Sequence, residues 1–192
     1  MSLAACPSAP RSRLGIHLGI HAVVTGAILL APVARAADFR AFDFGTPCDR
    51  IVALEAARGS MAFDGELPSG YHFAFRTREL DRDALVVYAC DGGKLFRAGY
   101  IFEAKDEADA AAIYSTLKKR VSRERGSPSY DFASPEHRKK MTEAGATLSP
   151  HDTMVAFWDG ATSEAHASVT EPSQGRGWRV SLSYTANTHL QE

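Results

Sequence analysis

The sequence predicts an α+β domain: an antiparallel sheet of about six strands with two main helices packed on one face, in the order helix-βββ, helix-βββ. Three observations lead there. Two apolar, β-branched and aromatic runs flank Asp91-Gly92-Gly93 between Ala84 and Ala104, a strong hairpin signal. After Asp106, residues Ala110, Ile113, Tyr114, Leu117 and Val121 recur at helical spacing. Strand-like runs follow each helix in groups of three rather than alternating with helices one for one, which points to an antiparallel sheet with segregated helices.

Residues 1–36 read as a signal peptide and residues 37–192 as a single α+β domain. Arg11 and Arg13 form a basic start, Ala22 to Ala31 an apolar segment, and Ala34-Arg35-Ala36 a small-residue cleavage site. An uncleaved anchor over Leu14 to Val33 is the alternative, although His17 and His21 interrupt it. Cys6 has no hydrophobic segment before it, so a lipid anchor is not expected there. The expected location is periplasmic or secreted, with no stable membrane insertion after cleavage. Of the 192 residues, 45% are hydrophobic and 23% charged, which excludes long disorder and a multi-span membrane protein. The leader holds three of the 22 bases and no acid. Its removal leaves 19 bases against 23 acids, a net charge of −4 with no footprint for nucleic acid.

The elements follow in order. Thr46 is read as an N-cap with Pro47 at the first helical position, opening a helix whose apolar stripe holds Ile51, Val52 and Leu54 and which Gly59 closes. A polar loop with Gly65, Pro68 and Gly70 precedes the strand Tyr71 to Thr77, where Tyr71, Phe73 and Phe75 alternate with His72 and Arg76. The arm before Asp91 is apolar on both faces, as a doubly covered strand should be. The second helix runs from Asp106 to about Arg125, with acids at its start and bases at its end. A short third helix spans Ser134 to Ala144. Strands then cover Asp152 to Trp158, Ser163 to Thr170 and Trp178 to Tyr184.

Two cysteines remain in the exported chain, Cys48 and Cys90, and the oxidising compartment favours a disulfide between them; two unrelated buried thiols are the alternative. The bond requires Cys90 to face the first helix. The expected register therefore sets Cys90 opposite Lys94 across a three-residue loop, because a two-residue loop would turn Cys90 to the face of Leu95.

No catalytic, cofactor-binding or metal-binding set is assigned. The histidines His72, His137, His151, His166 and His189 lack zinc spacing, and no nucleophile motif is present. His166 sits on the polar phase of its strand and reads as exposed. Lys118 to Arg125, with His137 to Lys140, reads as a solvated basic run. The expected function is a non-catalytic binding, inhibitor or envelope-assembly module with an envelope protein as partner. The alternative is a small periplasmic enzyme whose site joins dispersed residues such as His72, Asp91 and His166.

Phe44-Gly45-Thr46-Pro47 entering a helix, a long helix ending Gly126-Ser127-Pro128, and the late Trp158 and Tyr184 resemble uncharacterised exported bacterial α+β proteins. The overall plan also resembles binding modules of the beta-lactamase-inhibitor-protein type. The resemblance implies binding rather than catalysis and transfers no catalytic residue.

Overall fold

A computed structural model describes residues 38–172 and 177–189, so the signal peptide read over residues 1–36 lies outside the described residues. The chain divides into units 1–35 and 36–192, and every described residue belongs to the second. Its elements are α1 (Cys48–Ala57), β1 (Met61–Phe63), β2 (Phe73–Glu79), β3 (Arg82–Asp91), β4 (Lys94–Ala104), α2 (Glu107–Arg125), β5 (Tyr130–Asp131), α3 (Pro135–Glu143), β6 (Val155–Trp158), β7 (Ser163–Thr170) and β8 (Trp178–Ala186).

The protein is α+β with one antiparallel sheet among the described residues, and that sheet has eight strands, not about six, in the order β1-β2-β3-β4-β8-β7-β6-β5. The two additions are the edges. β1 has three residues and β5 two, and both lie in stretches that carry no alternating pattern. Each strand group forms a meander, and β4 joins the groups by pairing with β8 from Arg97↔Thr185 to Ala104↔Trp178.

The first face of the sheet carries the main core. Val86, Tyr88, Tyr100, Phe102, Leu182 and Tyr184 cluster with the α2 stripe, and all five predicted stripe residues are buried. Asp106 caps α2 by accepting the Asp109 N–H at 2.8 Å, and Gly126 ends it at φ +89°. α3 buries no residue. On the second face Ala74, Val87 and Ile101 form a smaller cluster covered by Leu67 and Tyr71 of the 64–72 loop. This loop is why β3 is apolar on both sides.

α1 departs from the sequence reading in two ways. Pro47, not Thr46, occupies the N-cap, and the Thr46 hydroxyl donates to the Asp43 carbonyl instead. The cause is strand pairing: the Leu95 N–H donates to the Thr46 carbonyl, the Cys48 N–H to the Gly93 carbonyl, and Pro47 bridges Lys94. This holds residues 45–47 extended and delays the helix by one position. The buried stripe also differs. Ile51 and Glu55 are buried, whereas Val52 and Leu54 are 43% and 37% exposed.

Cys48 and Cys90 form a disulfide, with Cα atoms 6.6 Å apart. The expected register is wrong. The loop has two residues, Gly92 and Gly93, both at positive φ as a type I′ turn requires, and Cys90 pairs with Leu95. A β-bulge rescues the geometry. Ala89 pairs with Arg97 but Cys90 with Leu95, so one extra β4 residue shifts the phase at Phe96. Beyond the bulge Leu95, rather than an even-numbered residue, joins the first-face cluster beside Cys48. The two-residue loop and the disulfide coexist because the bulge changes which residues share a face.

Candidate functional site

The second face carries one unbroken row across all eight strands: Phe63, Ala74, Val87, Gly99, Ser183, His166, Phe157 and Tyr130 are successive cross-strand partners. Its left part is apolar and lies under the 64–72 loop. Gly99 marks the middle, since a Cβ there would come within 2.4 Å of the Leu182 carbonyl oxygen. To its right the face turns polar. β7 contributes Glu164, His166 and Ser168, and β8 contributes Arg179, Ser181, Ser183 and Thr185, each a strand residue in the phase opposite the buried alanines, Val180 and Leu182.

All of these except Ser168 line a groove of about 430 Å³ and are only partly exposed. Tyr71 and Pro68 wall one side and Phe157 the other. The His166 ring stacks on Phe157, with centroids 4.4 Å apart and planes at 10°. Burial, and then the nearby Arg97 charge, hold its pKa below the ordinary histidine value, so the ring is neutral at pH 7. Burial raises the Tyr71 pKa, while Arg97 and a hydrogen bond with Ser183 pull the other way. Arg97 donates Nε to the Thr185 hydroxyl at 3.2 Å, and its Nη1 lies where a Cβ on Gly70 would approach to 3.3 Å. The Ser168 and Ser181 hydroxyls pair at 2.9 Å.

Chemically this is a set of donors and acceptors around two guanidiniums, suited to holding a polar ligand. Ser183 and His166 are cross-strand partners, yet no hydrogen bond joins their side chains among the described residues. No cluster of three or more metal-ligating side chains occurs among the described residues.

The dispersed set read from the sequence is not brought together. His72 accepts the Cys90 N–H on Nδ1 at 3.1 Å, near Asp91 and the hairpin end, while His166 is three strands from β3, about 14 Å at ordinary strand spacing. His166 itself is half-buried and stacked rather than exposed. The basic run is also not simply solvated: Lys118 pairs with Asp131 at 2.6 Å, Arg120 with Glu79, and Arg125 donates to the Ser163 carbonyl at 2.7 Å. His137 bonds the Tyr130 hydroxyl at 2.7 Å.

A larger recess of about 900 Å³ is lined by Arg40, Arg58, Arg76, Arg78 and Arg82. It spans both faces of the sheet: Arg40 and Arg58 meet at Glu55 on the first, while Arg76 and Arg78 lie in the Leu85 phase of the second, so its five arginines do not gather on one face. Arg58 pairs with Glu55 at 2.9 Å and Arg82 with Asp109 at 2.8 Å. The polar groove is therefore the better site. Sequence reading placed Arg179 with Ser181 and Ser183 on the polar phase of β8, but not its meeting with Arg97, Tyr71 and Phe157, which depends on how the 64–72 loop folds over. No helix among the described residues is long and apolar enough to cross a membrane. No family model matches the chain, and neither a curated protein nor a solved structure matches it.

Proposed function

We propose that this chain is an exported, non-catalytic binding module of the bacterial envelope, matured near Ala37 and acting in the periplasm or outside the cell. In this reading the two main helices cover the first face of the sheet and leave the second for a ligand. Inhibition or envelope assembly is the use to which the binding is put. The observation that carries it is the half-buried polar groove walled by Tyr71 and Phe157. The separation of His72 from His166 weighs against the enzyme reading, and the resemblance to secreted binding modules weighs for binding.

The test is site-specific photo-cross-linking in cells that export the protein. A photoreactive residue at Phe157 or His166 should give a discrete adduct, and one at the exposed Val52 on α1 should not. Equal labelling from both, or none from the groove, rejects the reading. N-terminal sequencing of the exported protein should return Ala37, and a return of Met1 rejects cleavage.

A further inference from the structure

An arginine stands at each end of the groove. Arg97 lies in the row with Thr185, and Arg179 in the row with Glu103 and Thr170. Positions 185 and 179 are separated by roughly 20 Å along β8. Between them the floor is neutral, made of Ser183 and Ser181 beside His166. Both arginines are partly buried, and neither forms an ion pair with a carboxylate among the described residues. Arg97 is met by a hydroxyl; Arg179 faces Glu103 across the strands without pairing to it. Glu164, two strands from Arg97 in its row, is the one acid among the described residues that line the groove. Partly desolvated guanidiniums bind carboxylates more strongly than fully solvated ones do, through charge-assisted and often bidentate hydrogen bonds.

The floor also selects the kind of chain that carries those carboxylates. β7 is paired on both sides, with β6 and β8, and β8 with β7 and β4, so no backbone edge is open for an added peptide strand. A peptide lying across this face would find no strand edge for its N–H and C=O groups, only side chains and water. The Ser168 and Ser181 hydroxyls share one hydrogen bond, which leaves one O–H and the remaining lone pairs of the pair for a ligand. A sugar chain brings hydroxyls that both donate and accept, matching serine, threonine, tyrosine and neutral histidine. Its ring faces present C–H surface to Tyr71 and Phe157, which wall the two sides.

From this juxtaposition we infer that the groove binds an acidic oligosaccharide, a carboxylate-bearing sugar chain laid along β8 from Arg97 to Arg179. The inference rests on the groove being the binding face.

Calorimetric titration of the purified protein with a hexauronate tests it, alongside a neutral glucan hexamer and hexaglutamate. The hexauronate should bind, at least about tenfold more tightly than either control, and more weakly as salt rises. Arg97→Gln and Arg179→Gln should each lower affinity about tenfold or more, as loss of a charge-assisted bond implies. Arg138→Gln, on α3, should change nothing. The two groove variants lie in different rows, and a thermal melt of each shows whether it is folded. Absence of hexauronate binding, equal binding of the neutral glucan, tighter binding of hexaglutamate, or wild-type affinity in a folded double variant overturns the proposal. Groove-specific cross-links without hexauronate binding would sink the ligand class alone, whereas absence of cross-links rejects the binding face itself.

Discussion

The Tyr88 hydroxyl donates to Glu55 Oε1 at 2.8 Å, and both residues are wholly buried. Arg58 at 2.9 Å, Ser60 at 2.8 Å and Arg40 at 3.5 Å complete the carboxylate's surroundings. α1 is thus joined to the middle of the sheet by a charged network as well as by Ile51. Removing one partner strands the others, which costs more than the network itself contributes. Glu55→Ala should destabilise by about 3–5 kcal/mol. Tyr88→Phe, which removes one bond to a charged acceptor, should cost about 1.5–3 kcal/mol. Urea unfolding measures both, and a loss below about 1 kcal/mol for Glu55→Ala would contradict a structural role for the network.

The disulfide closes a sequence separation of 42 residues and ties the α1 start to the hairpin end. Reduction should lower stability by about 2–4 kcal/mol. Exported protein, denatured without reductant, should react with no thiol reagent. Two titratable thiols would show that the bond does not form in the cell.

Two glycines of the β3–β4 hairpin should respond differently to alanine. At Gly99 the new Cβ would meet the Leu182 carbonyl at 2.4 Å and the Ser183 Cα at 3.1 Å, both backbone atoms that cannot swing aside. Gly99→Ala should cost about 1–3 kcal/mol or more through separation of β4 from β8. At Gly92 nothing lies within 4 Å, and the cost arises from φ +53° alone, about 1 kcal/mol. Equal melting temperatures for the two variants would show that β4 and β8 are not so closely apposed.

The α2 arginines are not equivalent. Arg120 reaches across to Glu79 on β2, with the paired side chains 33% and 20% exposed, whereas Arg123 donates to the Lys119 carbonyl of its own helix. Arg120→Gln should cost up to about 1 kcal/mol and Arg123→Gln close to nothing. Leu117→Ala, on the buried stripe, should cost about 2–5 kcal/mol. A reversed order of Arg120 and Leu117 in thermal melts would overturn the placement of α2's faces.

Burial pushes the Tyr184 pKa up to about 12, and it raises Tyr71, Tyr88, Tyr100 and Tyr114 above the ordinary tyrosine value as well. A folded pKa above the unfolded one means the native state holds the proton more tightly. The contribution to stability is full below pH ~10 and is lost as pH rises from there through the folded values. Ultraviolet titration should show these phenolates appearing together with unfolding, and ordinary titration in a still-folded protein would contradict it. His166 works in the opposite direction: its depressed pKa favours folding above the ordinary histidine value, and that contribution is lost as pH falls through the folded pKa.

Local pattern by itself determined much of this chain. The spacing of Ala110, Ile113, Tyr114, Leu117 and Val121 specifies α2 and its buried side, because a 3.6-residue period leaves one consistent face. The alternation of Val180, Leu182 and Tyr184 with Arg179, Ser181 and Ser183 specifies β8 and which side is wet. Tertiary structure decided the rest. β1 and β5 are too short to carry a period and exist because a neighbouring edge offers them hydrogen bonds. Glu55 lies inward because Tyr88 and Arg40, distant in the chain, meet it there together with Arg58 one turn on. The bulge at Phe96 lies between the β4 residues that meet 45–47 and those that pair with β8, a junction that no single strand's sequence expresses. The groove needs Tyr71, Arg97, Phe157 and Arg179 from four separate parts of the chain. Each residue's identity was visible in the sequence; their convergence is a long-range contact, and only folding sets its geometry.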